Sequence, residues 1–461
     1  MILTSVLEAA LEIAVSTGAD YAEIFAENTT SGLTDLVDDR IRNALNRHSV
    51  GVGVRVFSGL RYAYACSSGL EPEAVLSAAK KAAAALADGT AQMQLPHLSG
   101  GSCENHHPVS RPGSEVQLAD KVALAKRAYR AARAYSSEIS QSTVSLLDVD
   151  RNILIATSDG LLVTDRQVRS RIKINAVASK GSENQIGYCG PGALKGYEFF
   201  DEIDIEGVAA EAARQAVTML HAGYCPAGRM PVAIDNGFGG VIFHEACGHS
   251  LEAAAVAKGM SEFAGKLGEK VASDKVTAID DGTIPGAWGS VNVDDEGTPN
   301  RRRVLIENGI LKSYLVDKLN GRRMGMETTA SSRRQDYTFP PVSRMSNTFI
   351  APGTDTDEAI IGSIEYGLYA KKLGGGSVNP VTGEFNFAVN EGYIVRNGQI
   401  CEPVRGASLI GRGSEVIRNI DMVGMNLCRE QGMCGASSGS IPTDVGQPMI
   451  RVSEITVGGR E

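Results

Sequence analysis

Phe243-His244-Glu245-Ala246-Cys247-Gly248-His249-Ser250-Leu251-Glu252 is the stretch from which the rest of the chain is best read. Two of the seven histidines fall within six residues, and a carboxylate directly follows the first. Neutral imidazoles bind Zn²⁺, and an adjacent carboxylate can take a proton from a water on the metal. In the common form, His-Glu-x-x-His, the histidines stand at i and i+4 on one helix face. Here the spacing is i and i+5, which on a regular α-helix separates them by about 140°. A chelate therefore requires a π-type widening or a break before the second histidine. Gly248 is where such a distortion costs least. The competing reading is a polar helix face with two unrelated histidines.

A catalytic zinc takes three protein ligands and keeps one open position. His249 is the last histidine in the chain, so the third ligand must be Cys, Asp or Glu. Cys247 would project away from the face that holds the imidazoles. Glu252 follows His249 by three residues, on the same face, and suits either a ligand or a partner that orients the ring. Cys434 sits in Gly432-Met433-Cys434-Gly435, a glycine-flanked segment able to present a thiolate. Cys428 and Cys401 have the surroundings of small buried apolar residues. Spacing alone leaves the choice open.

Outward from this segment the chain divides in two. Residues 3–17 have helical periodicity. Residues 21–26, 32–37, 41–46, 51–57 and 62–66 read as extended pieces of a meander, and 71–88 as an Ala-rich helix. Residues 95–115 read as a long surface loop, 116–134 and 202–221 as helices, and 142–148, 153–157 and 161–173 as strands. A change of character near Gly223-Tyr224-Cys225-Pro226 places a boundary there. The expected fold class is α+β. An N-terminal domain of helices and antiparallel sheet covers 1–224. A Gly-rich, mostly β C-terminal domain covers 225–461 and carries the metal-site helix, expected over about 240–257. Asp280-Asp281-Gly282, Glu307-Asn308-Gly309 and Arg396-Asn397-Gly398 are hairpin signals. Gly374-Gly375-Gly376 lacks the spacing of a nucleotide loop and reads as a place of close backbone approach.

The 461 residues carry 45 Lys and Arg against 54 Asp and Glu, a net charge of −9. That balance argues against nucleic acid as the main partner. Arg301-Arg302-Arg303 is the obvious basic run and reads as a solvated strand end. Hydrophobic residues make up 43% of the chain, enough for a substantial core, which excludes disorder. Residues 1–8 lack a basic start and Glu8 interrupts the apolar stretch, unlike a signal peptide. No run approaches a membrane span. The expectation is a cytoplasmic protein with no membrane association, whose eight cysteines are thiols or metal ligands.

The motif and its company resemble the TldD/PmbA family of metalloproteases, specifically the motif-bearing TldD branch. The matching segments follow in order: Asp280-Asp281-Gly282-Thr283, Asp294-Asp295-Glu296-Gly297-Thr298-Pro299, Asp317-Lys318-Leu319-Asn320, Arg344-Met345-Ser346-Asn347-Thr348, Gly374-Gly375-Gly376, Cys434-Gly435 and Val445-Gly446-Gln447-Pro448. Agreement is dense from about residue 230 onward and looser before it. The resemblance implies a zinc-dependent peptidase with one zinc per chain, held by His244, His249 and Cys434, and Glu245 as general base. It also implies small or unfolded peptides as substrates. A homodimer, or a heterodimer with a motif-less TldE/PmbA-type paralogue, is implied too.

On this reading Glu245 accepts a proton from zinc-bound water and later passes one to the leaving amine. An extended substrate would pair with a sheet edge near the metal. Arg344, Ser346 and Asn347 are the candidates for touching it, and Glu252 for orienting a ligand. The alternative is a non-catalytic regulatory scaffold with a structural zinc, in which Glu252 or Cys247 closes the fourth position.

Overall fold

The computed structural model describes residues 2–87, 89, 93–101, 103–379 and 382–460. The architecture is α+β. Long strands dominate the first half: Tyr21–Val37, Arg40–Ser58, Ile139–Thr157 and Leu161–Lys180. They form one antiparallel sheet, flanked by Arg61–Ser68 beside Arg40–Ser58. The first two strands are each continuous where the sequence suggests two short pieces. The polar stretch between those pieces does not turn. In the hairpin the two strands form, residues 40–48 are exposed throughout, while the first strand stays paired on both sides as far as Val37. Asp38 and Asp39, both at positive φ, make the tight turn at its tip.

Alternation along Tyr21–Val37 sorts the layers. Ala22, Ile24 and Ala26 pack with helices Thr4–Val15 and Pro72–Leu86. The last helix falls where 71–88 is expected, and Asp88 lies outside the described residues. Farther along, Leu36 joins the core under Leu118–Ala134 and Ile205–Leu220. Glu23, Phe25 and Glu27 point the opposite way, and Phe25 packs with Val293 of the second half. The contact is charged as well as apolar. Arg55 pairs with Glu23 at 2.6 Å and with Glu296, while Arg334 donates to Glu23 at 2.8 Å, all buried. Such pairs add little net stability but penalise any other docking angle.

The second half holds two larger sheets around one core. The sheet that matters for the site runs Ile310–Leu311, Arg302–Glu307, Ala278–Asp281, Asn347–Ile350, Gly439–Gln447, Cys428–Ala436. Asn308-Gly309 and Asn397-Gly398 are hairpin turns with positive φ at both residues. Asp280-Asp281-Gly282 is not a hairpin: its strand pairs with Arg302–Glu307, well downstream. The basic run is only partly solvated, since Arg303 is buried in an ion pair with Asp280. Gly374–Gly376 belongs to the strand Tyr366–Val378, where the pairing slips register. The chain enters the second large sheet early, through Gly223–Tyr224 pairing with Val404–Arg405. Among the described residues no helix is long and apolar enough to cross a membrane.

Candidate metal centre

The site segment is not one helix. Val241–Phe243 is a single α-turn, His244–Gly248 is π-helical, and His249–Leu251 is 3₁₀. Glu252 is extended and ends the run before Ala253–Val256. The expected continuous helix over 240–257 is therefore broken, and the widening that i, i+5 chelation demands is the break. The imidazoles of His244 and His249 stand 5.0 Å apart at 84°. Gly240 enters the turn against the backbone of Gly446, where a side chain would collide. Gly248 does more than ease distortion. Met345 packs against it so closely that a β-carbon there would overlap the thioether.

Cys434 arrives from the hairpin Cys428–Ala436/Gly439–Gln447, whose inner strand abuts Gly240. Its Sγ lies 3.3 Å from His244 Nε2 and 3.3 Å from His249 Nε2. Tetrahedral zinc with ordinary N and S bond lengths sets an N···S separation of about 3.6 Å. The three donors therefore stand close to chelating distance. His244 and Cys434 are buried. Burial alone would raise the Cys434 thiol, but the two imidazoles beside it hold it down at about 3. Burial works against charge on His249, yet Glu252 and Cys434 carry it well above its ordinary value. Two imidazoles and a thiolate form a donor set suited to zinc, a borderline-soft ion.

Glu245 is half-buried, and its Oε2 lies 3.7 Å from His249 Nε2, on the donor side of the ring. Glu252 lies on the other side, with Oε1 3.2 Å from His249 Nδ1. His244 Nδ1 is buried with no hydrogen-bond partner among the described residues. Cys247 is fully buried, and burial keeps its thiol protonated. Cys428 is exposed rather than the buried apolar residue its surroundings suggest, and Cys401 is half-buried.

Arg344, Ser346 and Asn347, expected at the substrate, are buried and spend their hydrogen bonds inside the protein. Arg344 donates to the carbonyls of Cys434 (2.5 Å) and Gly439 (3.0 Å) and to Ser438 Oγ (3.0 Å). Ser346 Oγ donates to Asp280 Oδ2 (2.8 Å). Asn347 Nδ2 donates to the Asp281 carbonyl (2.5 Å) and Ser290 Oγ (2.7 Å). The strand Asn347–Ile350 is paired on both sides, so it has no free edge for a peptide. The outermost strand near the donors is Cys428–Ala436 itself. Beside it opens a cleft of about 770 Å³, lined among others by Phe238, Gly374, Gly375, Gly432 and Met433. Sequence reasoning passed over Trp288, whose indole donates to the Gly432 carbonyl at 2.9 Å. Its being the single tryptophan of the chain was the available signal.

Fold, donor set and flanking carboxylate together describe a metallopeptidase. Comparison with known proteins narrows this. Residues 227–459 match the PmbA/TldA metallopeptidase C-terminal domain, 111–220 its central domain and 22–86 its domain 1. The chain belongs to this family. It is 37% identical to a metalloprotease TldD homolog of Haemophilus influenzae, over 95% of this chain and 93% of that one. A metalloprotease of Methanothermobacter thermautotrophicus is 33% identical over 95% and 96% of the two chains. TldE from Thermococcus kodakarensis shares the fold, with a TM-score of 0.77 at 21% identity over 98% of this chain and all of that one (100%). A Thermotoga maritima crystal structure described as a candidate modulator of a DNA gyrase also shares it. Its TM-score is 0.81 at 20% identity, over 98% and 99% of the chains.

Proposed function

We propose that the chain is a zinc-dependent peptidase in which His244, His249 and Cys434 hold the metal and Glu245 is the general base. The observation that carries this is the meeting of three donor atoms, from segments far apart in sequence, within 4.8 Å of one another. When bound, zinc would act as a Lewis acid, lowering the pKa of a water towards ~7 and polarising the scissile carbonyl. Glu245 takes the proton of the attacking water and later delivers it to the leaving nitrogen. Glu252 holds His249 by its Nδ1 side and so fixes which ring nitrogen faces the other donors.

A structural zinc on a non-catalytic scaffold needs a fourth protein ligand. Glu252 meets His249 on the side away from Cys434, and Cys247 lies outside the donor cluster. This favours the catalytic reading.

The substrates are small or unfolded peptides, bound extended in the cleft beside Cys428–Ala436. That strand already yields its Gln431 and Gly432 carbonyls to Arg171 and Trp288. Backbone contacts there would give weak sequence preference. We also propose that the active form is a dimer, with a second copy or with a TldE-type chain, which the mass of the purified complex tests. The deciding experiment for the chemistry is Glu245→Gln. It should bind zinc stoichiometrically and lose cleavage of unstructured peptides by about 10²–10⁴-fold. Retained cleavage with zinc in place removes Glu245 from the mechanism.

A further inference from the structure

We infer that Arg344 is a positioning residue for the metal centre, clamping the thiolate and the second imidazole in one frame. The inference rests on the ligand assignment proposed above and names a component that assignment lacks. The Arg344 guanidinium is fully buried. One of its nitrogens donates to the Cys434 carbonyl, and another to Ser438 Oγ and the Gly439 carbonyl. Those groups span the hairpin turn and the residue that bears the sulfur. The third nitrogen, Nε, faces Glu252 Oε1 at 3.9 Å, and the same carboxylate oxygen lies 3.2 Å from His249 Nδ1. Both Arg344 Nε and Glu252 Oε1 are buried without a well-formed hydrogen bond. Glu252 Oε1 thus lies between Arg344 Nε and His249 Nδ1. Arg344 thus touches the backbone of one ligand directly and the ring of another through Glu252.

The neighbouring residue reinforces the frame. Met345 rests on Gly248, inside the π-turn that separates the two histidines. Arg333 donates to the carbonyls of Met345 (2.9 Å) and Pro442 (2.8 Å), tying the Met345 segment to the inner strand of the hairpin. A planar five-donor fork suits this task. A lysine, with one compact charge, could serve either the hairpin carbonyls or Glu252, but not both.

The test uses the full-length chain. Zinc affinity is measured by chelator competition, the Co²⁺-substituted protein is examined for its thiolate-to-metal absorption band, and peptide cleavage is resolved into kcat and KM. Arg344→Met should bind zinc about 10–100-fold more weakly and show an altered thiolate band. Arg344→Lys should recover part of both. kcat should fall with KM unchanged, because no substrate contact is removed. Should Arg344→Met fail to fold, Glu252→Gln keeps the side-chain shape, removes the charge and should itself weaken zinc about tenfold. Unchanged zinc affinity and an unchanged Co²⁺ band in the folded variants would overturn the inference. So would a change confined to KM. If the wild type itself bound no zinc, or Cys434→Ser left the thiolate band intact, the ligand assignment would fail first. Wild-type zinc with unmoved variants defeats the positioning role alone.

Discussion

Gly248→Ala is the perturbation that most directly probes the geometry of the π-turn. A β-carbon at 248 would lie 2.9 Å from Met345 Cε and closer still to its sulfur. Unstrained carbon contacts need about 3.5–4.0 Å. Met345 is fully buried, so it cannot swing into solvent to make room. Overpacking of this kind costs about 1–3 kcal/mol. Replacing Gly by Ala within a helical backbone returns about 1 kcal/mol through propensity. The single variant should therefore be between neutral and about 2 kcal/mol less stable. That spread makes its sign a poor test on its own, and the coupling to Met345 is the sharper quantity. In a Met345→Ala background the clash is gone and Gly248→Ala should turn stabilising by up to about 1 kcal/mol. The expected interaction energy is then about 1–3 kcal/mol. Trp288 is the chain's single tryptophan and is bonded to the Cys434 strand, so its fluorescence reports this region in urea titrations of chelator-treated protein. A coupling within about 0.5 kcal/mol of zero would show that Met345 does not restrain the turn.

The remaining expectations concern the same centre and a buried histidine of the first half. With zinc removed by chelation, Cys434 should stay a thiolate through neutral and mildly acidic pH, because the imidazoles hold it down at about 3. Its alkylation rate, followed by mass spectrometry, should then be flat from about pH 5 to 8, whereas an ordinary thiol speeds up roughly tenfold per unit. A tenfold climb refutes the ion-pair reading. Cys434→Ser should strip zinc and activity together, seen by elemental analysis beside peptide cleavage. His107 is buried, with its Nδ1 accepting from the Gly286 amide at 3.2 Å; burial first, then Arg169, lowers its imidazole to about 4. Its folded value lies below its unfolded one, so its contribution is complete above about pH 6.5 and lost as pH falls towards 4. The loss should be on the order of 1–2 kcal/mol after discounting for solvent screening. Acid titrations of stability should show that slope in the wild type and a flatter one in His107→Gln.

What the sequence could say about the site was set by how local each feature is. The i, i+5 spacing of His244 and His249 forces a widened turn whatever surrounds it, and a π-turn is present. Gly248 looked like a concession to that turn. Its tighter constraint comes from Met345, a tertiary neighbour that no local pattern announces. The choice among Cys434, Glu252 and Cys247 likewise depended on topology, since only folding decides which edge strand crosses the site. Arg344-Met345-Ser346-Asn347-Thr348 was the most misleading run. It was expected at a sheet edge that pairs with substrate, yet all five residues are buried. Ser346, Asn347 and Thr348 bond to Asp280 and Asp281, and Arg344 to hairpin carbonyls, partners invisible to a reading by periodicity. The long strands of the first half were broken in two for a simpler reason. Polar stretches such as 27–31 and 47–50 look like turns when only alternation is counted, although the strands run through them.

That buried polar run also explains how a ligand on an edge strand can be held still. Cys434 is flanked by Gly432 and Gly435 and belongs to the last strand of its sheet, paired on one side only. Such a segment is free to twist and fray, and each degree of freedom left in a ligand is subtracted from metal affinity. The remedy lies in side chains from elsewhere that capture the strand's carbonyls. Arg171 takes that of Gln431 at 2.8 Å, Trp288 that of Gly432 at 2.9 Å and Arg344 that of Cys434 at 2.5 Å. Arg171 comes from the first half of the chain, Trp288 and Arg344 from the second. The position of the sulfur therefore depends on both halves being docked, and the buried pairs of Glu23, Arg55, Glu296 and Arg334 fix that docking. A substitution at Arg55 that leaves each half folded should accordingly loosen the metal site from a distance. The Co²⁺ thiolate band would register it, and an unaltered band in Arg55→Met would mean that the second half alone sets the geometry.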